Sequence, residues 1–318
     1  MEFEEICSFL EITSNQLDVY WDIETLSRIS NQRVPDFILS GRSSLLRADI
    51  HILWTQWFIE SICNPELFIY SSSEYAYIVK AVQQRMPYVF SGISENEQNQ
   101  LARYIARLVN EEVQRRKTRK RASASLDIRK ELWDIYGPQP RCWICGYKFT
   151  KWAEDKFLGY STNMEPPLPQ FIDYMTLHGL TKRDISIEID HAVPLSRGGS
   201  EEDNLRLACG WCNKYKSNRI SLYDVIGQQS MIDHPKLGRQ SIPHPFWVIR
   251  LLSVRRSCEY EKGCDKIVEN SKLTVVYKHP KGAMNPTNLR VICLDHDPIG
   301  SDRFVSRQVV HKIKEVKP

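Results

Sequence analysis

The chain has 318 residues, 42% hydrophobic and 26% charged, a balance that suits a globular protein with more than one core and excludes a disordered or fibrous chain. No run approaches the ~18 apolar residues of a membrane span, and the opening MEFEEICSFL is acidic where a secretory signal is basic, so no export and a cytoplasmic location are expected. The formal charge of +4 conceals an asymmetry: residues 1–113 hold 8 basic and 16 acidic side chains, the remainder 35 and 23. An acidic front and a basic back point to two modules with different partners, the basic one suited to a polyanion.

Residues 1–113 read as helical. Ile50, Leu53, Trp54, Trp57, Phe58 and Ile62 recur at 3–4 residue spacing and predict one wide apolar face. Ser94 with Glu97 forms a capping box, and Leu101, Tyr104, Ile105 and Leu108 continue at helical period. The helix then meets a basic run containing Arg115, Arg116, Lys117, Arg119, Lys120 and Arg121. Residues 114–125 are therefore either a solvated linker or an arm that grips phosphates. A second helical pattern covers Leu126 to Tyr136 and stops at Gly137-Pro138. Residues 146–184 look irregular, punctuated by Pro166, Pro167 and Pro169. Ile185, Ile187 and Ile189 alternate with polar residues, which predicts a strand. A turn at Arg197-Gly198-Gly199-Ser200, a short strand over Leu205–Ala208 and a helix over Cys212–Tyr223 complete a ββα unit.

Seven of the nine cysteines fall at 142, 145, 209, 212, 258, 264 and 293, clustered as metal ligands are and unlike a disulfide scaffold. His296, three residues past Cys293, brings the set to eight, enough for two tetrahedral structural zinc ions. Cys142, Cys145, Cys209 and Cys212 make one quartet; Cys258, Cys264, Cys293 and His296 make the other. Cys7 and Cys63 read as small core residues.

Asp190-His191 at a strand end, Asn204, and Cys209-x-x-Cys212-Asn213 together resemble the HNH nuclease family in its H-N-N form, over residues 142–219. The resemblance implies a metal-dependent endonuclease: His191 activates water, Asp190 and Asn213 bind a catalytic Mg²⁺ or Mn²⁺, and Asn204 pins the loop that carries His191. The residue chemistry agrees, since imidazole is a base near pH 7 and Asp and Asn are hard oxygen donors. Lys216 is expected at the scissile phosphate, with Lys214 and Arg219 nearby, and Arg115, Arg116 and Lys117 on the flanking backbone; a solvated helix face is the plainer alternative for the lysines. The pattern recurs downstream. Asn288 to Cys293 repeats the step from Asn204 to Cys209, and aligning His279 with His191 sets Lys278 against Asp190 and Asp297 against Asn213. On that alignment the second module is inactive, serving as scaffold or DNA contact.

The expected fold is α+β. A helical domain over residues 1–113 serves a partner, target choice or dimerisation, followed by the basic linker over 114–125. An HNH domain of ββα-metal type, zinc-stabilised, spans 126–228, and a degenerate zinc-bound HNH-like module spans 229–318. The expected function is cleavage of DNA, double-stranded, in restriction or phage defence, and the family resemblance implies 5′-phosphate and 3′-hydroxyl ends; a homodimer or protein partner is expected to act through the helical domain, with no membrane involved. The alternatives are a non-catalytic zinc protein that binds DNA and an RNA-cleaving nuclease or toxin.

Overall fold

A computed structural model describes residues 2–13, 22–70, 75–117, 125–161, 165–194, 204–225 and 230–310. The chain is mixed α and β, with helices first and short two-stranded sheets after them. None of the described helices is long and apolar enough to cross a membrane.

The front half contains α1 (Glu2–Thr13), α2 (Ile23–Ser30), α3 (Asp36–Leu39), α4 (Ser43–Ile62), α5 (Glu66–Ile69), α6 (Tyr75–Val89) and α7 (Glu95–Lys117). α6 and α7 pair through Ile78, Val82 and Met86 against Ala102, Ile105, Ala106 and Val109, which with Ile62 and Cys63 form one core. Ser94 and Glu97 exchange the capping hydrogen bonds that the sequence predicts. α4 departs from expectation. Its apolar residues run around the whole circumference, so no single face absorbs them, and Trp54 and Trp57 stay 61% and 60% exposed. Beyond Ile62 in the core, a polar anchor holds α4: buried Asp49 accepts from the Leu222 N–H (2.6 Å) and from Arg250 (2.9 Å), tying the helix to the back half.

The back half begins with α8 (Leu126–Tyr136), capped by Ser125 and ended by Gly137 at φ 77°, as its pattern predicts. The segment expected to be irregular contains α9 (Lys151–Phe157), started by the Thr150 side chain accepting from Ala153 N–H, and β1 (Phe171–Asp173). β2 (Ile187–His191) and β3 (Leu205–Cys209) form an antiparallel hairpin that leads into α10 (Gly210–Lys216). The turn expected over 197–200 lies outside the described residues. α10 is shorter than expected because Ser217 takes a positive φ of 49° and closes it with a hydrogen bond to the Asn213 carbonyl; only a 3₁₀ turn over Leu222–Asp224 follows. Next come the hairpin β4 (Ser230–His234) with β5 (Gly238–Ile242) and α11 (Pro245–Arg255). The hairpin β6 (Leu273–Tyr277) with β7 (Leu289–Cys293) precedes β8 (Phe304–Ser306), which pairs with β1. This last pairing, with one continuous core running from Leu132 to Val310, packs residues 126–228 and 229–310 as one unit.

Candidate active site

Each of the two quartets that could hold zinc is assembled from a knuckle and a hairpin end. Cys142 and Cys145 flank a tight turn closed by the Gly146 N–H on the Cys142 carbonyl (2.8 Å), while Cys209 ends β3 and Cys212 lies in the first turn of α10. Gly146 sits at φ 69°, where a Cβ would lie 2.0 Å from the Ser271 carbonyl oxygen, so the two halves of the core close on this glycine. Cys258, Cys264 and Cys293 meet His296, whose ring stacks on Tyr260 at 3.9 Å. In both quartets the ligand atoms lie within 4.8 Å of one another; Cys145 and Cys209 Sγ are 3.9 Å apart, and Cys264 and Cys293 Sγ 4.0 Å. Tetrahedral zinc with Zn–S of about 2.3 Å sets its ligands about 3.8 Å apart, so both sets fit the ion. Without a cation, burial pushes the Cys209 and Cys212 thiols well above their ordinary range, which makes thiolates there dependent on the metal.

The ββα unit lies directly above the first quartet. Gly210 starts α10 at a point where a Cβ would stand 1.9 Å from the Arg183 carbonyl oxygen, and its N–H bonds to Ser186 (3.0 Å). This close approach lays α10 along β2 and brings Asn213 to Glu188, with Nδ2 donating to Oε2 at 2.6 Å. Glu188 is two residues before Asp190, hence on the same side of the strand. Arg183, 59% exposed, also donates to Glu188 through Nε (2.7 Å) and Nη2 (3.2 Å). His191 ends β2, half-buried. Asn204 pins the chain beyond it: Oδ1 accepts from Val193 N–H and Nδ2 donates to Val193 O, both at 2.8 Å.

Asp190 and Lys216 take places the sequence does not suggest. Lys216 is expected at the scissile phosphate, but its side chain is 7% exposed and donates to Asp190 Oδ1 (2.9 Å) and the His191 carbonyl (2.5 Å). The other oxygen, Asp190 Oδ2, accepts from Trp143 Nε1 at 3.0 Å. Burial pushes the Asp190 carboxyl up and the Lys216 ammonium down, each opposed by the other's charge. Opening such a buried pair typically costs about 3–5 kcal/mol, whereas an exposed pair such as Arg183–Glu188 is worth about 1 kcal/mol at most. Each Asp190 oxygen thus accepts one hydrogen bond, and the carboxylate that meets Asn213 directly is Glu188.

The expected phosphate contacts also separate. Lys214 is exposed on α10, and Arg219 is half-buried with Nη1 on the Tyr215 carbonyl (3.2 Å). Arg116 is the correction: its guanidinium lies among Glu60 (2.8 Å), Glu66 (2.5 Å) and Glu112 (2.6 Å), tying α7 to α4 and α5, and is not presented to a ligand. Lys117 ends α7; the Arg115 side chain and Arg119, Lys120 and Arg121 lie outside what the structure describes. Sequence reasoning passed over Arg141, Arg206 and Arg256, which line a cleft of about 230 Å³ beside Trp143 and the first quartet. It also passed over Glu188, although the period-2 pattern of β2 sets it beside Asp190.

The second module repeats the first, but in a different register from the sequence alignment. Cys209 pairs with Ile187 and Cys293 with Leu273. The Asn204 carbonyl accepts from Ala192 N–H (2.8 Å), and the Asn288 carbonyl from Lys278 N–H (2.7 Å). Tyr277 therefore stands where His191 stands, Val276 where Asp190 stands, and Thr274 where Glu188 stands. Lys278 and His279 fall one and two residues beyond, because the loop before Asn288 is shorter. Lys278 instead donates to the Ser40 carbonyl (2.5 Å) and hydroxyl (2.7 Å), between α3 and α4.

Residues 179–219 match the family model described as HNH endonuclease. No curated protein and no solved structure matches the chain.

Proposed function

We propose that the chain is a metal-dependent endonuclease that hydrolyses phosphodiester bonds of DNA, double-stranded, in a restriction or phage-defence setting. The observation that carries this reading is the contact of β2 with α10: the strand that ends at His191 is held against the helix bearing Asn213, above a four-cysteine quartet. His191 takes a proton from the attacking water, as a neutral imidazole does near pH 7. Asn204 holds the chain that follows, so that the imidazole keeps its place relative to the strand. A hard divalent cation, Mg²⁺ or Mn²⁺, supplies charge for the developing phosphorane and the leaving 3′ oxygen when bound. Asp190 and Asn213 are the oxygen donors proposed toward it. Lys214, Arg219, Arg115 and Lys117 are proposed to approach the backbone, where phosphate contacts position the duplex without reading it.

The acidic, aromatic-rich front half is proposed to bind a protein partner or a second copy, with Trp54 and Trp57 of α4 exposed for it. The test of the main reading is plasmid DNA, modified and unmodified, and an RNA control, incubated with zinc-loaded protein and Mg²⁺ or Mn²⁺, with EDTA as control. Nicking or linearisation that needs the cation and disappears in His191→Ala supports it. Cleavage of RNA alone would transfer the site to the RNA-cleaving alternative, and tight DNA binding without cleavage would favour the non-catalytic one.

A further inference from the structure

We infer that Arg141, Arg206 and Arg256 form a cleft that grips one phosphate of the DNA backbone beside the cleavage site, an inference that rests on the nuclease reading above. The cleft, of about 230 Å³, is walled by Tyr136, Trp143 and Cys142. Its polar lining is rich in donors. The three guanidiniums are half-buried, and carbonyl oxygens orient them: Arg141 Nη1 donates to Gly146 (2.8 Å), Arg206 Nη1 to Leu205 (2.9 Å) and Arg256 Nη1 to Trp143 (3.0 Å). A carbonyl holds a guanidinium in place without cancelling its charge. The Tyr136 hydroxyl accepts from the Leu207 N–H (3.3 Å), which leaves its own proton to donate, and burial pushes the phenol up, so it keeps that proton. Among the described residues that line the cleft, the carboxylate is Glu269, 55% exposed, on Arg256. Three fixed cations and a phenol against one exposed carboxylate select an anion, and the guanidinium fork matches phosphate oxygens.

The position of the cleft ties it to the nuclease site. Arg206 on β3 stands opposite Asp190 on β2, so the two side chains share one face of the hairpin. Trp143 lines the cleft and donates through Nε1 to Asp190 Oδ2 (3.0 Å), one residue before His191. A phosphate seated among the arginines therefore brings its strand alongside the end of β2. The internal repeat keeps the arginine and changes its surroundings. Arg290 precedes Cys293 by the step that separates Arg206 from Cys209, and it approaches Glu261 (3.5 Å). The knuckle position of Trp143 is taken there by Glu259, which Arg42 and Arg255 neutralise. The second module thus supplies its own carboxylates on this side of the hairpin. The first sets an indole and three guanidiniums there, and the balancing anion comes from the bound strand.

The test reads duplex DNA binding by fluorescence anisotropy on the zinc-loaded full chain with no other divalent cation added, so it is separate from cleavage. The doubly substituted Arg141→Gln/Arg206→Gln protein should bind about tenfold or more weakly at fixed salt. Its salt slope should flatten by roughly 0.9, the share of one phosphate. Glu269→Gln, which removes the carboxylate of the cleft, should tighten binding. Two duplexes, with 5′-phosphate and with 5′-hydroxyl ends, distinguish the source of the phosphate: equal loss on both assigns the cleft to an internal phosphodiester, and loss confined to the first assigns it to a strand end. Zinc content and far-ultraviolet ellipticity establish that each variant is folded. Unchanged affinity and slope in the double variant, a slope change of about 1.8 that marks two separate contacts, no gain in Glu269→Gln, or no DNA binding by the unaltered chain would each overturn the assignment. The nuclease reading itself fails on a different measurement, the absence of any cation-dependent cleavage.

Discussion

Lys216→Met separates a buried structural lysine from a phosphate-contacting one. Lys216 and Asp190 are 7% and 4% exposed, and the ammonium also fills the His191 carbonyl. Removing it while keeping a side chain of similar length leaves the Asp190 carboxylate with only the Trp143 indole N–H. A buried charge stripped of its partner typically costs about 3–5 kcal/mol. The indole hydrogen bond remains and the methionine refills the space, so about 3 kcal/mol is expected here. Guanidinium titration followed by ellipticity should report that loss, and adding Asp190→Asn should recover most of it, since an uncharged pair leaves no stranded carboxylate. Binding to duplex DNA should keep its salt slope in the doubly substituted protein. The phosphate reading makes the opposite forecast: stability nearly unchanged and a slope flatter by roughly 0.9. That pair of results would refute the buried-pair argument.

Elemental analysis should find two zinc ions per chain, with Cys209→Ser and Cys293→Ser each removing one; a single ion in the unaltered protein would exclude the second quartet. Neutralising Arg115 and Lys117 should flatten the salt slope of duplex binding by up to about 1.8, about 0.9 per phosphate contact, whereas Arg116→Ala should act on stability, loosening α7 from α4 and α5; an unchanged slope in the first variant would return the run to a linker. His178, between Tyr147 and Trp211, is pushed down to about 4, chiefly by burial. The folded chain therefore binds fewer protons than the unfolded one between about pH 6.5 and 4, and this group's stability, about 3 kcal/mol, is present above that window and lost as pH falls through it. His178→Phe, monitored where zinc content is still complete, should flatten that part of the stability curve, and an unaltered profile would count against a neutral buried imidazole.

Much of the architecture of the two quartets is legible in sequence because its determinants are local. Cysteine spacing, the Asn-to-Cys step and the Gly137 stop each act within a few residues, and hairpin and helix follow from them. What escapes is set by partners distant in the chain. Arg116 sits beside an open-looking basic run, yet its three carboxylates come from α4, α5 and its own helix. Lys216 has the helical spacing of a phosphate contact, and only the folding of α10 over β2 reveals that it points inward. The second module escapes a sequence alignment for another reason: β-register is counted from the hairpin's paired ends, not from its histidine, and a shorter loop moves His279 off the strand.

The corrected register changes what the second module is for. Its equivalent of His191 is Tyr277, a poor base at neutral pH, and the buried Arg303 is held by Asp297 and Asp173. Its outer side is taken up as well. Arg42 is buried there, donating to both oxygens of Glu259 (2.9 and 3.0 Å) and to the Leu289 carbonyl (2.6 Å), while Lys278 holds Ser40. Glu259 occupies the knuckle position that Trp143 holds in the first module, since Glu259 N–H bonds to Val291 as Trp143 N–H bonds to Leu207. Where the first module spends that position on Asp190, the second spends it on a residue of the helical front half. Among the described residues, the helical front half thus meets the back half through polar contacts at two places: Arg42 and Ser40 against the second module, and Asp49 of α4 against Leu222 and Arg250, beyond α10.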